Sequence, residues 1–204
     1  MAFGRGLIEV PATVEACVAL NRNKLSGFLI DFEAAVDLFR MVAEQGTEGL
    51  GARRYYGFKT IAARDAALNA YHFSCALNAI KSQLPLSSAH AGSVDRVKVR
   101  NARKQFKADF PNIDLVRHAV AHAGELHETP EKMALNQVRA ANHPPGFMFV
   151  VSELEDSSFS LGISGRLVTI RLDDAAIQKL KFVRDLIEEA FQGTAAAIGQ
   201  PPGN

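Results

Sequence analysis

The chain contains few of the cysteines that stabilise secreted domains and no apolar run long enough to span a membrane. Only two of its 204 residues are cysteines, Cys17 and Cys75, and both lie in segments with helical periodicity and no ligand motif. This scarcity excludes a zinc–thiolate site and predicts reduced thiols. No apolar run approaches the roughly 20 residues that cross a bilayer, and the N-terminus lacks the apolar core of a signal peptide. The sequence therefore predicts a cytoplasmic protein with no membrane segment.

An excess of charge of either sign is also absent. The formal net charge is +1, from 23 basic and 22 acidic side chains, so contact with a nucleic acid would depend on a local patch. No glycine-rich phosphate-binding signature occurs, and no nucleotide or other cofactor is predicted. With 48% hydrophobic residues and no internal repeat, residues 1–204 are expected to form one domain with a sizeable core.

Helical periodicity dominates the first 127 residues. We predict one long helix, or two in sequence, from about Val14 to Ala43, with an apolar stripe of Phe28, Leu29, Phe32, Val36 and Phe39. A glycine-bearing stretch is expected to end it, and an Ala-rich helix follows from about Thr60 to Leu84. The next helix lies within 94–110, with Val99, Ala102, Phe106 and Phe110 at helical intervals. A fourth helix is expected to begin at the cap residue Asn112.

The composition changes after His127. The runs FMFVVSEL, SFSLGI and RLVTIRL favour strands, and Ser164-Gly165 is suited to a tight hairpin turn. A final helix is predicted from about Asp173 to Gly193, with Ile177, Leu180, Ile187, Ala190 and Phe191 in the core, followed by a disordered tail at about 194–204. The expected fold is mainly α: a bundle of four to five helices with a small antiparallel β insertion at about 147–172, before the last helix.

The segment DLVRHAVAHAGEL, residues 114–126, carries the most unusual polar side chains. On an α-helix Asp114, Arg117, His118, His122 and Glu125 fall within roughly 140° of one another, opposite a side with Leu115, Val116, Ala119, Val120 and Ala123. A solvated face with local ion pairs is one interpretation. However, such a face more commonly uses Lys and Glu, whereas imidazole exchanges protons near neutral pH and guanidinium holds phosphate in a fixed fork.

Arg117, a polar residue at 118, three further positions and His122 resemble the Arg-polar-x-x-x-His motif of the HEPN superfamily (higher eukaryotes and prokaryotes nucleotide-binding domains). The resemblance covers the helical bundle, about 14–127 and 173–193, and His118 stands where the family commonly has Asn or Asp. It implies a homodimeric, metal-independent endoribonuclease, toxin-like or defence-related, with His122 as acid/base and Arg117 as phosphate clamp. The role of His118 stays open between orienting Arg117 and joining in proton transfer. The family also includes non-catalytic binding or scaffold modules, and an antitoxin-like protein is a candidate partner.

A basic segment directly precedes the motif. It contains six cations against one acid, Asp95, and these are candidate RNA-binding residues: Arg96, Lys98, Arg100, Arg103, Lys104 and Lys107. An ordinary basic helix face is the competing interpretation, since no aromatic stacking platform accompanies the segment.

A third hypothesis is a metal site. His118 and His122 have the spacing of two ligands on one helix face, and His72 or Glu125 could complete a divalent site, as in the DinB-like four-helix metalloenzymes that the pair resembles. Arg117 beside the pair would repel a cation, and a β insertion of this size is not expected in that family. The sequence therefore favours a site without metal.

Overall fold

The computed structural model describes residues 13–44, 50–90, 92–123, 125–126, 128–136, 138, 152–155 and 157–198. Its elements in chain order are helices α1 (Val14–Glu44), α2 (Leu50–Gln83), α3 (Arg96–Asp109), α4 (Ile113–Ala121) and α5 (Pro130–Asn136), strands β1 (Ser152–Leu154), β2 (Ser158–Ile163) and β3 (Arg166–Arg171), and helix α6 (Asp174–Ile198). A single 3₁₀ turn, Leu84–Leu86, follows α2. The predicted class, a mainly helical bundle with a small antiparallel sheet before the last helix, is confirmed.

The two long helices α1 and α2 form an antiparallel hairpin at the centre of the core. On α1 the predicted stripe is buried at Leu29, Phe32, Val36 and Phe39, and Phe28 is partly buried. On α2 the packing surface consists of small residues that let the helices approach closely: Ala62, Ala63, Ala66, Ala67 and Ala70. Helix α6 packs on α3 and α1, and α4 packs on α2 and on the sheet.

The sheet has the order β1-β2-β3, and both pairings are antiparallel. Every residue of β2 is buried, so the central strand belongs to the core. Ser164 and Gly165 form the predicted hairpin turn, with φ of 50° and 69°. Positive φ at both central residues is the geometry that matches the twist of the flanking strands. Of the predicted first strand, residues 147–151 lie outside the described residues.

Several predicted boundaries were wrong. Helix α2 begins at Leu50, ten positions before Thr60, because packing against α1 outweighs the roughly 1 kcal/mol that each glycine costs in a helix. Helix α6 continues to Ile198, beyond the predicted limit at Gly193, so the tail cannot begin at 194. Helix α5 was not predicted, since breaker residues surround it.

The motif helix is also shorter than expected. Helix α4 ends at Ala121, His122 is its C-cap and Glu125 lies beyond it, so the polar residues do not share one continuous helix. Leu115, which was assigned to the apolar side, is 38% exposed, whereas Val116 and Ala119 are buried as predicted. Asn112 is at the N-cap position, but its side chain makes no capping hydrogen bond.

Candidate functional site

Two histidines and a carboxylate meet at the C-terminal end of α4. The ring centroids of His118 and His122 are 4.7 Å apart, as i,i+4 neighbours on one helix face. His122 Nδ1 lies 3.1 Å from Glu125 Oε1, and the hydrogen bond from His122 lowers the pKa of Glu125. Because an ionised carboxylate only accepts hydrogen bonds, His122 Nδ1 is the donor in this contact. The other ring nitrogen, Nε2, is then the atom that can exchange a proton with a ligand.

An open cavity of about 480 Å³ adjoins this pair. His118, His122 and Glu125 line it together with residues from α4, the turn after it, α5 and the end of β2 with its hairpin turn: Leu115, Leu126, Lys132, Leu135, Asn136, Ile163 and Ser164. Apolar walls with a few convergent polar groups, here two imidazoles, a carboxylate and an ammonium group, are typical of a ligand-binding site.

Asn136 fixes the shape of this cavity. Its side chain is buried, and its Nδ2 group donates to the carbonyl oxygens of Leu126 at 2.9 Å and Lys132 at 3.0 Å. Its Oδ1 atom accepts the backbone N–H of Ser164 at 2.9 Å. One amide thus joins the turn after α4, helix α5 and the hairpin turn. No sequence motif predicted this role of Asn136, because its partners come from separate parts of the chain.

Arg117 lies on a different side of α4. Its guanidinium carbon is 5.2 Å from the ring centroid of Tyr71 on α2, and Arg117 is not among the residues that line the cavity. Positions i and i+5 on an α-helix are about 140° apart, which accounts for the separation of Arg117 from His122. A hydrogen bond with Cys75 raises the pKa of Tyr71, whereas the nearby Arg117 acts in the opposite direction. No sequence pattern predicted the contact of Tyr71 with Arg117.

Of the six cations in the basic segment, Lys98 faces α6 and the other five line a groove. Asp95 caps α3 by accepting the N–H groups of Val97 at 2.9 Å and Lys98 at 3.1 Å. Lys98 then points to α6, where its Nζ atom lies 2.8 Å from Glu189 Oε2, and this contact raises the pKa of Lys98. The other five candidate RNA-binding residues line one open groove of about 430 Å³: Arg96, Arg100, Arg103, Lys104 and Lys107.

Lys81 at the end of α2 adds a sixth cation to this α3 groove, and its apolar floor is the exposed Pro85, beside the buried Leu84 and Val99. Among the residues that the structure describes, no acidic side chain lines it. Arg103 Nε donates to Asn78 Oδ1 at 2.6 Å, which joins α3 to α2. The other five cations make no ion pair with any of the residues described.

The remaining candidate ligand, His72, is exposed on α2 and lies apart from the cavity. Its ring stacks on Phe28 with 5.4 Å between centroids. In the parts of the chain that the structure describes, no group of three or more His, Cys, Asp and Glu side chains is arranged to hold a metal ion. Within the same parts, no helix is long and apolar enough to cross a membrane.

Comparison of the chain with protein-family models, with curated proteins and with solved structures found no match. The function therefore has to be argued from the geometry of the site.

Proposed function

We propose that the protein is a metal-independent endoribonuclease of the HEPN type, with His122 as its principal acid/base. The observation that carries the proposal is the contact of His122 with Glu125 and His118 beside an open cavity. A carboxylate that holds one imidazole nitrogen and leaves the other free is a recurring arrangement for proton transfer. A second imidazole at 4.7 Å offers a second proton-transfer group.

In the proposed reaction the protein contributes only proton transfers and charge stabilisation. A histidine takes the proton of the 2′-hydroxyl, whose oxygen then forms a bond to phosphorus. The bond from phosphorus to the 5′-oxygen breaks, and a second imidazole gives that oxygen a proton. The products are a 2′,3′-cyclic phosphate and a 5′-hydroxyl. A guanidinium fork stabilises the additional negative charge on phosphorus in the transition state.

Arg117 and His122 face different sides of one protomer, which supports a composite site in a homodimer. In this arrangement Arg117 of one protomer would hold the phosphate, and the histidines of the other protomer would take the proton of the attacking 2′-hydroxyl and protonate the leaving 5′-oxygen. A cytoplasmic location and an antitoxin-like protein partner remain predictions that accompany the nuclease assignment. A non-catalytic RNA-binding module is the second candidate, because within one chain the phosphate clamp and the acid/base are separated.

The test is cleavage of a single-stranded RNA in EDTA, with the ends of the products analysed for cyclic phosphate. His122→Ala should reduce the rate by about 10²- to 10⁴-fold, the usual contribution of a general acid or base. Arg117→Ala should be similarly damaging, and Arg117→Lys should restore little, because an ammonium group cannot form the bidentate fork. His72→Ala is the matched control: the residue is an exposed histidine outside the cavity and should leave the rate unchanged.

Three results would contradict the nuclease proposal in different ways. Cleavage that EDTA abolishes would favour a metal site at His118 and His122. Cleavage that survives His122→Ala would place the acid/base elsewhere. RNA binding without any cleavage would leave the binding module.

A further inference from the structure

The α3 groove has the charge of a polyanion site. Its cations occupy positions 96, 100, 103, 104 and 107, at i, i+4, i+7, i+8 and i+11 on one side of α3, with Lys81 across the groove. A protein with a net charge of only +1 has concentrated six positive groups here, and none of the described residues that line the groove is acidic. Leaving so many like charges together is unfavourable, and a bound polyanion would offset this cost.

The apolar floor of the groove indicates which kind of polyanion would bind there. Leu84 and Val99 are buried residues that border the groove, and Pro85 is exposed in it. A nucleic-acid duplex presents phosphates outward and keeps its bases stacked inside, so it would leave this apolar surface unused. A single strand can turn a base onto the floor while its phosphates contact the surrounding cations.

One side of α2 connects the groove with the motif helix. Tyr71 contacts Arg117, Asn78 binds Arg103, and Lys81 lines the groove. These three α2 positions recur at i, i+7 and i+10, so they lie on one side of the helix, over a length of about 15 Å. A few nucleotides of a single strand would span this length.

We propose that the α3 groove binds single-stranded RNA, with phosphates on its cations and one base on its apolar floor, and that the strand continues along α2 towards Arg117. The continuation to Arg117 rests on the nuclease function proposed above, whereas binding in the groove does not.

The experiment measures binding by fluorescence anisotropy to a labelled single-stranded oligonucleotide with 2′-O-methyl groups, which lacks the attacking hydroxyl and cannot be cleaved. Arg100→Gln/Lys104→Gln should weaken binding at least tenfold at low salt. It should also lower the slope of log affinity against log salt by about 1.4, from two lost phosphate contacts at about 0.7 each. The matched control is Lys24→Gln/Arg54→Gln, which removes two exposed cations from α1 and α2 and should change affinity less than twofold.

A duplex of the same sequence and an oligonucleotide with abasic sites should both bind more weakly than the intact single strand. Equal loss of affinity in the control variant would show that only total charge matters and would overturn the proposal. Equal binding of the duplex or the abasic strand would do the same for the single-strand and base contacts.

The same variants separate this proposal from the nuclease assignment. If the wild type binds through the groove but cleaves nothing, the nuclease fails and the groove stands. If the protein cleaves RNA and Arg100→Gln/Lys104→Gln leaves KM for long substrates unchanged, the groove proposal fails and the nuclease stands.

Discussion

At the residue scale, Asn136 has the most unusual position in the candidate site. It is a buried amide whose hydrogen bonds connect three segments that contribute to the cavity. Loss of a buried amide removes a hydrogen bond from each of its former partners, and a partner left unsatisfied costs more than the bond itself contributes. Asn136 therefore couples the stability of this end of the molecule to the shape of the site.

We expect Asn136→Ala to lower the free energy of unfolding by about 1–3 kcal/mol, because two carbonyl groups and one N–H group lose a protein partner. The measurement is urea denaturation followed by circular dichroism. Asn21→Ala is the control: Asn21 donates to Cys17 O within α1, a local bond whose loss should cost less than about 0.5 kcal/mol. Equal destabilisation by the two changes would contradict the role assigned to Asn136.

At the element scale, replacing glycine by alanine is expected to have opposite effects on stability in helices α6 and α1. A Cβ atom at position 193 of α6 would lie 2.8 Å from the backbone oxygen of Ser93, which is too close for any carbon. That backbone has little freedom to move, because Asp95 N–H donates to Ala190 O at 3.0 Å and holds the segment before α3 on α6. At position 27 of α1, a Cβ atom would meet nothing within 4 Å.

Gly193→Ala should therefore destabilise the protein by about 1–3 kcal/mol, the usual cost of overpacking, despite the better helix propensity of alanine. Gly27→Ala should stabilise it by about 0.5–1 kcal/mol, since alanine restricts the unfolded chain and fits the helix. Thermal and urea unfolding of the two variants beside the wild type provide the check. Stabilisation by Gly193→Ala would show that α6 and the Ser93 segment are not in close contact.

The elements that the sequence predicted well are those in which burial is periodic. The buried stripe of α1 repeats at helical spacing, at Leu29, Phe32, Val36 and Phe39. Ser164-Gly165 is a pair that adopts the positive φ angles of a tight hairpin turn. Helix α5 was missed because breaker residues surround it, and the hydrogen bonds that connect it to Leu126 and Ser164 join parts of the chain that no local pattern relates. Periodicity gives the direction of a side chain on its own helix, but not which other element it meets. For that reason His118 and His122 were correctly paired, whereas the contact of Arg117 with Tyr71 was not foreseen.

At the scale of the whole molecule, exposed apolar side chains identify two candidate surfaces for self-association. Leu115 and Leu135, 38% and 65% exposed, border the cavity with His118 and His122. Phe58 and Ile61, 53% and 60% exposed, lie on α2. Large exposed apolar groups that cluster are typical of protein interfaces. The proposed nuclease needs the first surface, because only an interface at the cavity can bring Arg117 of one protomer to the histidines of another.

We therefore predict a homodimer at micromolar concentration, as measured by sedimentation velocity, with both Arg117 and the cavity lined by His122 in its interface. Leu135→Glu should convert the dimer to a monomer, since a carboxylate buried in an apolar contact without a partner is strongly unfavourable. It should also reduce RNA cleavage in EDTA, because each protomer alone lacks a complete site. Ile61→Glu is the matched change on the other apolar surface and should leave both the dimer and the cleavage intact. A monomeric wild type, or dissociation by Ile61→Glu and not by Leu135→Glu, would remove the basis for a composite site.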